Sequence, residues 1–396
     1  MKLCLVTKNK FYLDANNLIS DGLLWYEEYG ISGFKFEEIE KLVLIGFKVK
    51  EKFDGYVYNW GSKNGIFIIG PNFREEKRYI FDRLINIFFT LKEIWKNRKI
   101  LKDIDLVFAP FFEYVAFEFL LLKLICEKAK FIVYIIGDYP ELNYRKKKNK
   151  FLKYFLLVLQ KISQKIANEN WILSQYLLKK YRTNKSVLVR TSSLKESQIG
   201  LFKTINPKEI KLIFVGRLAE EKNPHTSIFV LKALREKGYS AFLKIVGDGD
   251  LKNYLLDLAN KLNLKNYVNF YGWMKDFNKI IELYSQSDIL IFPSRPGEGL
   301  GLVVLEAISQ GLVVIATKCG GPEEIIEDGI NGYLIDYKED EKCLIDEFVN
   351  KIEFLIKNPQ IYEQISKNNI EKAKEWTIEK FSKIQRERIL KLLKNE

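Results

Sequence analysis

Apolar runs alternate with helix-period segments along the first half of the chain. The predicted strands cover residues 3–6, 55–58, 66–69, 106–108 and 131–136. Between them, residues 79–102 and 111–128 have the length and the apolar spacing of helices. This alternation is typical of parallel strands covered by helices, so we predict a Rossmann-like α/β layer in this half.

The second half repeats the alternation more regularly. After a strand that ends at Gly216, the predicted helices cover residues 224–237, 251–262, 277–286 and 371–394. Strands lie between the first three, which predicts a second doubly wound α/β domain. The Asn206-Pro207 pair is typical of a linker. We therefore predict a first domain at 1–205, a second at 206–375 and a C-terminal helix at 376–396.

Residues 287–334 contain the most informative pattern. A buried strand at 289–292 leads into a Gly-rich loop with Glu298, a helix with Glu306, a second strand at 313–316 and another Gly-rich turn. This is the βαβ unit of a parallel sheet, where ligands bind at the ends of strands and the beginnings of helices. The two acids are placed to accept hydrogen bonds from a hydroxyl-rich ligand. The pattern points to a sugar nucleotide.

Arg217 and Lys222 follow another strand at the same edge of the predicted sheet. Fixed cations and helix N-terminal amides can stabilise the negative charge that develops on a departing pyrophosphate, so no divalent ion is required. Taken alone, both residues could equally be ordinary loop cations. We predict no metal site, because Asp103-Ile104-Asp105 lacks a supporting acid or histidine nearby and residues 247–250 form a strand-to-helix turn.

Composition adds size and charge to this picture. A chain of 396 residues with 47% hydrophobic residues is long enough for two cores. The formal net charge is +13, and the basic excess lies in the first 200 residues. Such an imbalance favours an anionic membrane surface or nucleic acid as partner. The alternative is an organism whose proteins are generally rich in lysine.

One basic segment accounts for much of this excess. Residues 142–168 carry eight lysines and arginines, no acids, and interleaved apolar residues. The segment can form an amphipathic helix that binds an anionic membrane surface through residues 144–165. It can equally be a helix packed on its own sheet after a solvated basic loop. Nucleic acid is not an expected partner, because no recognised reader motif accompanies the charge.

The cysteines and the apolar segments bear on location. Cys4, Cys126, Cys319 and Cys343 show no paired spacing for a metal or a redox couple, which favours a reducing compartment. The first ten residues look like a strand and not like a signal peptide. Charged residues interrupt the most apolar stretch, at 114–136, so no bilayer-spanning segment is predicted. We expect a cytoplasmic protein that can lie peripherally on the inner face of the cell membrane.

Five motifs together resemble glycosyltransferase family 4, over roughly residues 209–336. They are GRLAEEKNP, IVGDGD, YVNFYGW, SDILIFPSRPGEGLGLVVLEAISQG and ATKCGGPEEIIEDGINGYL. Several ordered motifs over such a length are far more specific than one Gly-rich loop. The resemblance implies a GT-B fold, in which two Rossmann-like domains face a central cleft and a C-terminal helix returns to the first domain.

The resemblance also implies roles for particular residues. Glu298 would bind hydroxyls of the donor sugar and Glu306 the ribose diol. Arg217 and Lys222 would contact the diphosphate, together with a set of loop residues and backbone amides: Gly216, Gly299, Leu300, Gly301 and Leu302. Trp273 would lie by the nucleotide base, although a tryptophan filling the sheet edge is at least as good an interpretation.

The first half departs from the family pattern in three places. The loop after its first strand reads TKNKFYLDANNLISDG without the usual glycine pair, and RTSSL stands where Asn-Gly is common. Many members of the family also place a histidine of the first domain in the cleft, but His225, the one histidine here, begins a helix of the second domain and is expected at the surface or in a cap. Asp138, after the strand FIVYII, is the candidate that replaces this histidine as a catalytic residue. Alternatively, Asp138 forms a turn or helix cap before Pro140.

The sequence thus predicts a retaining glycosyltransferase that needs no cofactor or metal. It would move a hexose-type sugar from a nucleotide-diphosphate sugar, held by the second domain, to a glycan or lipid-linked acceptor held by the first. Glu298, Arg217, Lys222 and Asp138 are the predicted catalytic residues, and surface polysaccharide or glycan synthesis is the expected setting. The alternatives are a GT-B sugar-nucleotide epimerase or hydrolase, and a non-catalytic sugar-nucleotide-binding partner of another transferase.

Overall fold

The structure is a computed structural model that describes residues 1–13, 17–20, 34, 38–49, 56–59, 66–70, 79–111, 115–138 and 150–394. The chain divides into two units. The first unit comprises Met1–Leu173, Leu177–Arg190 and Ser382–Glu396, and the second comprises Ser174–Tyr176 and Thr191–Phe381. The second unit therefore begins upstream of the predicted boundary at residue 206, and the last residues of the chain group with the first unit.

The first unit contains a sheet with nine strands among the described residues. In chain order they are β1 (Lys2–Leu13), β2 (Asn17–Ser20), β3 (Lys41–Lys48), β4 (Tyr56–Asn59), β5 (Ile66–Ile69), β6 (Leu106–Pro110), β7 (Lys130–Ile135), β8 (Glu169–Ile172) and β9 (Ser186–Leu188). Strand β1 pairs in parallel with β3 and β6, and β3 pairs with β5. The parallel order is β5-β3-β1-β6-β7-β8-β9, so the chain direction across the sheet reverses between β1 and β6.

The helices of this unit differ in extent from the predicted ones. They are α1 (Tyr79–Lys96), α2 (Arg98–Leu101), α3 (Val115–Ile125), α4 (Lys150–Ile166) and α5 (Gln175–Tyr181). The prediction of a single helix for residues 79–102 is wrong. The helix is interrupted at Asn97, whose φ of −95° and ψ of 15° are not helical. Strand β3 was not predicted from its apolar run, although Leu42 to Ile45 are all buried.

The second unit contains a six-stranded parallel sheet. Its strands are β10 (Ile210–Val215), β11 (Ala241–Val246), β12 (Val268–Gly272), β13 (Ile289–Phe292), β14 (Val313–Thr317) and β15 (Tyr333–Ile335). The spatial order is β12-β11-β10-β13-β14-β15. This is the doubly wound Rossmann order, which reverses between β10 and β13. Every residue of β13 and β14 is buried, as expected for central strands covered on both faces.

The helices from residue 225 onward are α6 (His225–Glu236), α7 (Lys252–Lys261), α8 (Phe277–Ser285), α9 (Leu302–Ser309), α10 (Glu341–Lys357), α11 (Pro359–Glu375) and α12 (Ile378–Lys394). The first three match the predicted helices to within one residue at each end, whereas α10 and most of α11 were not predicted. Most of α12 belongs to the first unit. The continuous helix predicted for 371–394 is wrong, because α11 ends before Trp376, whose φ of −116° and ψ of 48° interrupt the helix.

The end of α12 is held to the first unit by named contacts. Arg388 Nε and Nη2 donate to the Glu169 carboxylate at 2.7 and 3.0 Å. Gln385 donates to the Arg190 carbonyl at 2.9 Å, and Arg386 pairs with Glu38. Across the described part of the chain, none of the helices has both the length and the apolar content to cross a membrane.

Candidate functional site

The candidate site lies in the second unit where the strand order reverses. Loops that follow the adjacent strands β10 and β13 leave the sheet at its carboxyl edge, and adjacent strands are about 4.8 Å apart. Such a reversal opens a crevice between two loops that turn to opposite faces of the sheet. The first loop carries Arg217 and Lys222, and the second carries Glu298 and leads into α9.

A second Gly-rich turn supports the loop that carries Glu298. Gly297 and Glu298 donate from their backbone N–H groups to the Cys319 carbonyl at 2.8 and 2.9 Å, and Gly321 donates to the Glu298 carbonyl at 3.1 Å. A Cβ at Gly321 would lie 2.1 Å from the Leu300 Cα, so only glycine allows this approach. The backbone around Glu298 is therefore fixed by contacts with the turn after β14.

Lys222 and Glu298 form an ion pair across the crevice. The Lys222 ammonium donates to Glu298 Oε2, and their side chains are 21% and 16% exposed. Lys222 ends a short 3₁₀ helix (Glu220–Lys222), and its ammonium lies 5.7 Å from the centre of the Phe292 ring. The structure thus brings together a predicted diphosphate-binding cation and the predicted sugar-binding acid. A ligand that carries both a diphosphate and a sugar can therefore contact both side chains.

Arg217 is oriented differently. Its guanidinium pairs with Glu221, four residues later, and its side chain is 64% exposed. Arg217 lies two residues after the end of β10, so its backbone is at the predicted end of the strand. To contact a diphosphate, its side chain would have to exchange the Glu221 carboxylate for the ligand.

Arg295 is a cation that sequence reasoning missed in the same crevice. Its backbone N–H donates to the Glu221 carbonyl at 2.9 Å, and its Nη2 lies 3.5 Å from Glu220 Oε2. Its Nε is buried and makes no hydrogen bond to the described residues. In the sequence, its position three residues before Glu298 was the feature that could have indicated a place in the crevice.

Glu306 is held inside the unit by two hydroxyl groups. Ser193 Oγ donates to Oε1 at 2.7 Å, and Tyr284 Oη donates to Oε2 at 3.2 Å. Glu306 is 8% exposed, and burial raises the pKa of its carboxyl while the two hydrogen bonds oppose that rise. Neither Ser193 nor Tyr284 was predicted to belong to the site. For Ser193, the feature of the sequence that could have indicated a role was its place in the RTSSL segment, which departs from the family pattern.

The N-terminus of α9 completes the anion-binding features. The helix begins after Gly301, whose φ of 77° and ψ of 58° place it in the left-handed region. The first N–H groups of a helix have no intrahelical acceptor, so those of Leu302 and Val303 are available to a phosphate. Leu300 is buried and anchors the approach to the helix. Gly216 and Gly299 lie in the two loops that border the crevice.

Trp273 comes directly after β12 and is 56% exposed. This exposure does not fit the alternative in which the ring fills the edge of the sheet. Strand β12 lies two strands from β10, or about 10 Å. Contact with a nucleotide base stays a prediction for this residue.

Asp138 follows β7 in the first unit and is fully buried. Its carboxylate accepts from the Lys180 ammonium and the Tyr181 hydroxyl, both near the end of α5. Both oxygens therefore accept hydrogen bonds within the unit, and the carboxylate is not exposed to solvent. The catalytic role of Asp138 stays a prediction. Pro140 and the first part of the basic segment, up to residue 149, lie outside the described residues.

Other residues singled out in the sequence are engaged in local contacts. His225 begins α6, and its Nε2 lies 3.1 Å from Glu341 Oε1, while burial lowers the pKa of its imidazole. Asp103 accepts from Lys2 at 3.2 Å and from Lys41 at 2.5 Å. These contacts give both residues structural partners.

Comparison with known proteins agrees with this geometry. Residues 201–372 match the family model of glycosyl transferases group 1. An uncharacterised glycosyltransferase of Haemophilus influenzae is 31% identical over 202 residues, which cover 51% of this chain and 54% of that protein. The amylovoran biosynthesis glycosyltransferase AmsD of Erwinia amylovora is 36% identical over 135 residues, which cover 34% of this chain and 36% of AmsD. These matches span about half, or less, of the length of the curated relatives.

The structural comparison extends over both units. HepE from Anabaena, in a crystal structure with UDP and glucose, has a TM-score of 0.69 at 16% identity, with 98% of this chain and 99% of HepE covered. The fold is therefore GT-B: α/β, with two Rossmann-like domains, one with a mainly parallel sheet and one with a wholly parallel sheet. In sequence, the similarity to glycosyltransferases lies in the second half of the chain, at the group 1 match of residues 201–372.

Proposed function

We propose that this protein is a retaining glycosyltransferase of family 4. It would transfer a hexose-type sugar from a nucleotide-diphosphate sugar to a hydroxyl of a glycan or lipid-linked acceptor. The observation that carries the proposal is the Lys222–Glu298 pair, which lies beside the N-terminus of α9 at the reversal of the second sheet. HepE, which has a similar fold, was crystallised with UDP and glucose.

Each group has a chemical task in this proposal. Glu298 accepts hydrogen bonds from hydroxyls of the donor sugar, and Glu306 accepts from the ribose diol. Lys222, Arg217 and the first amides of α9 stabilise charge on the departing diphosphate, so no metal is needed. Retention follows from the family 4 resemblance, with attack on the face that the leaving group departs from and the departing phosphate as base. Trp273 would contact the base, and Asp138 would orient the acceptor in the first unit.

The setting we propose is polysaccharide or glycan assembly at the inner face of the cell membrane. AmsD is named for amylovoran biosynthesis, which supports a role in polysaccharide synthesis. The excess positive charge in the first half of the chain favours an acceptor carried on an anionic surface.

Titration calorimetry with a panel of nucleotide sugars, followed by nucleotide release with glycan and lipid extracts, tests the proposal. Glu298→Gln and Lys222→Ala should abolish transfer and keep the fold. The control is Lys232→Ala, which removes a lysine that also pairs with a glutamate, on the outside of α6. Near-normal transfer by both site variants would contradict the assignment. Sugar release or epimerisation without acceptor would favour the epimerase or hydrolase, and binding without any turnover would favour the non-catalytic partner.

A further inference from the structure

Helix α4 has two different apolar faces. Its inner face packs through buried Leu156 and Leu159. Its outer face leaves Phe151 and Tyr154 80% and 66% exposed, and Val158 is 53% exposed. Spacings of three and four residues place these side chains in one stripe along the helix. The helix therefore packs on its own unit and also leaves an apolar stripe outside.

The neighbouring helices extend this stripe. Helix α3 contacts both α4 and α1. Its outer residues Leu120 and Leu124 are 46% and 73% exposed, and Phe88 and Trp95 on α1 are 64% and 55% exposed. Scattered exposed apolar residues are normal, whereas a group of large ones on three adjacent helices marks an interaction site. We call these seven residues, with Phe155, the three-helix surface.

Positive charge surrounds the three-helix surface. Its exposed cations are Lys92, Lys96, Lys150, Lys161 and Lys165. Helix α4 carries no acid at all. Of the acids on α1 and α3 whose side chains the structure describes, Glu93 is half-buried and Glu118 is buried. The surface is therefore apolar and cationic, without an exposed acid among those side chains.

We propose that the three-helix surface binds an anionic lipid bilayer. Aromatic rings such as Phe151, Tyr154 and Trp95 suit the boundary between headgroups and acyl chains, where an apolar body and a polar edge are both accommodated. The surrounding lysines match the negative potential of anionic headgroups, and their apolar stems can lie along the same boundary. A protein partner would need a row of acids opposite the lysines, while a bilayer supplies negative charge all around the stripe. The inference does not depend on the transfer reaction.

Flotation with vesicles tests the surface directly. We expect the full chain to float with vesicles of equal phosphatidylglycerol and phosphatidylcholine at low salt, and to stay unbound with phosphatidylcholine alone. A variant with Phe151, Tyr154 and Val158 changed to Ser should lose flotation. A second variant, with Lys150, Lys161 and Lys165 changed to Gln, should bind about 10- to 100-fold more weakly at low salt, since each lysine contributes to attraction by the anionic surface.

Folding and specificity have separate controls. All substituted side chains are exposed, and far-UV circular dichroism checks that each variant folds. Tyr254→Ser removes an exposed aromatic side chain from α7 of the second unit and should leave flotation unchanged. Equal flotation of wild type and the serine variant would overturn the proposal, as would equal binding to neutral vesicles. A wild-type dimer that the serine substitutions dissociate, with no vesicle binding, would assign the surface to a second copy of the chain.

Discussion

Removing the Ser193 hydroxyl should change how Glu306 ionises. Glu306 is buried, and its carboxylate is stabilised by a 2.7 Å bond from Ser193 and a 3.2 Å bond from Tyr284. The hydrogen bonds favour the ionised form and so lower a pKa that burial has raised. Ser193→Ala removes the shorter bond, so the pKa of Glu306 should rise further.

The size of this change follows from the bond that is lost. A hydrogen bond to a charged group contributes about 1.5–3 kcal/mol. The protonated carboxyl can still accept a weaker hydrogen bond, so only the difference between the two protonation states raises the pKa of Glu306 in Ser193→Ala, and the energy of the whole bond is the upper limit of that effect. Tyr284→Phe removes the longer bond and should produce a smaller rise.

Two assays report this shift. The first is the pH dependence of nucleotide binding. A protonated Glu306 is a poorer acceptor for the ribose diol, so nucleotide affinity should fall as the pH drops below the pKa of Glu306. The midpoint of this fall should lie at a higher pH in Ser193→Ala than in wild type. The nucleotide is the one that wild type binds best, with its 2′,3′-dideoxy analogue as the comparison. The second is denaturant unfolding. A carboxyl whose folded pKa is raised loses stability as pH rises from its unfolded pKa through its folded pKa. The Ser193→Ala deficit in unfolding free energy should therefore be larger at pH 8 than at pH 5.

The matched control is Ser285→Ala. Ser285 follows Tyr284 on α8, and the Ser285 hydroxyl donates to the Glu282 carbonyl at 2.8 Å and not to Glu306. This variant should leave both pH profiles unchanged. Identical midpoints for wild type and Ser193→Ala would refute the reasoning about Glu306. Equal loss of affinity for the nucleotide and its dideoxy analogue would refute contact with the ribose. Absence of nucleotide binding by wild type would instead refute the proposed function.

Three further changes test other parts of the structure. Asp138→Asn weakens a buried contact with partly exposed Lys180 and should cost about 1–3 kcal/mol in unfolding free energy without changing nucleotide affinity; lost transfer with unchanged stability would instead support the catalytic role. Gly321→Ala forces a Cβ to within 2.1 Å of the Leu300 Cα, so calorimetry should detect at least about tenfold weaker nucleotide binding, and normal affinity would contradict this account of the loop. Burial lowers the pKa of Lys203 to about 8 from 10.5, so stability should rise with pH between those values, and Lys203→Met should flatten that part of the unfolding profile.

The fold could be predicted where the pattern was strong and local. Strands β13 and β14 are short and almost entirely apolar, so both strands of the βαβ unit were predicted to within one residue at each end. The break at Asn97 was missed because the apolar spacing continues on both sides of it. Strand β2, with four residues, is formed by antiparallel pairing with β1 and β4, and such partners cannot be inferred from its own short sequence.

In the candidate site, too, some features could be predicted from local sequence and others could not. Glu298 and Lys222 could be proposed because each follows a recognisable strand, and the carboxyl ends of parallel strands share one edge. The ion pair between the two side chains could not be predicted, because 76 residues separate them in the chain. The sequence likewise contained no indication that Arg217 pairs with Glu221 or that Asp138 is enclosed by Lys180 and Tyr181.

Sequence by itself determined the α/β class, the second domain's parallel sheet and the loops that carry its polar groups, because hydrophobic periodicity and glycine positions act over a few residues. The tertiary structure decided which side chains meet. Ser193 reaches Glu306 across 113 residues of chain, and Phe151 lies outside while Leu156 lies inside on the same helix. Those outcomes depend on how strands are ordered and which helix face packs on the sheet, and both are set by contacts between residues far apart in the chain.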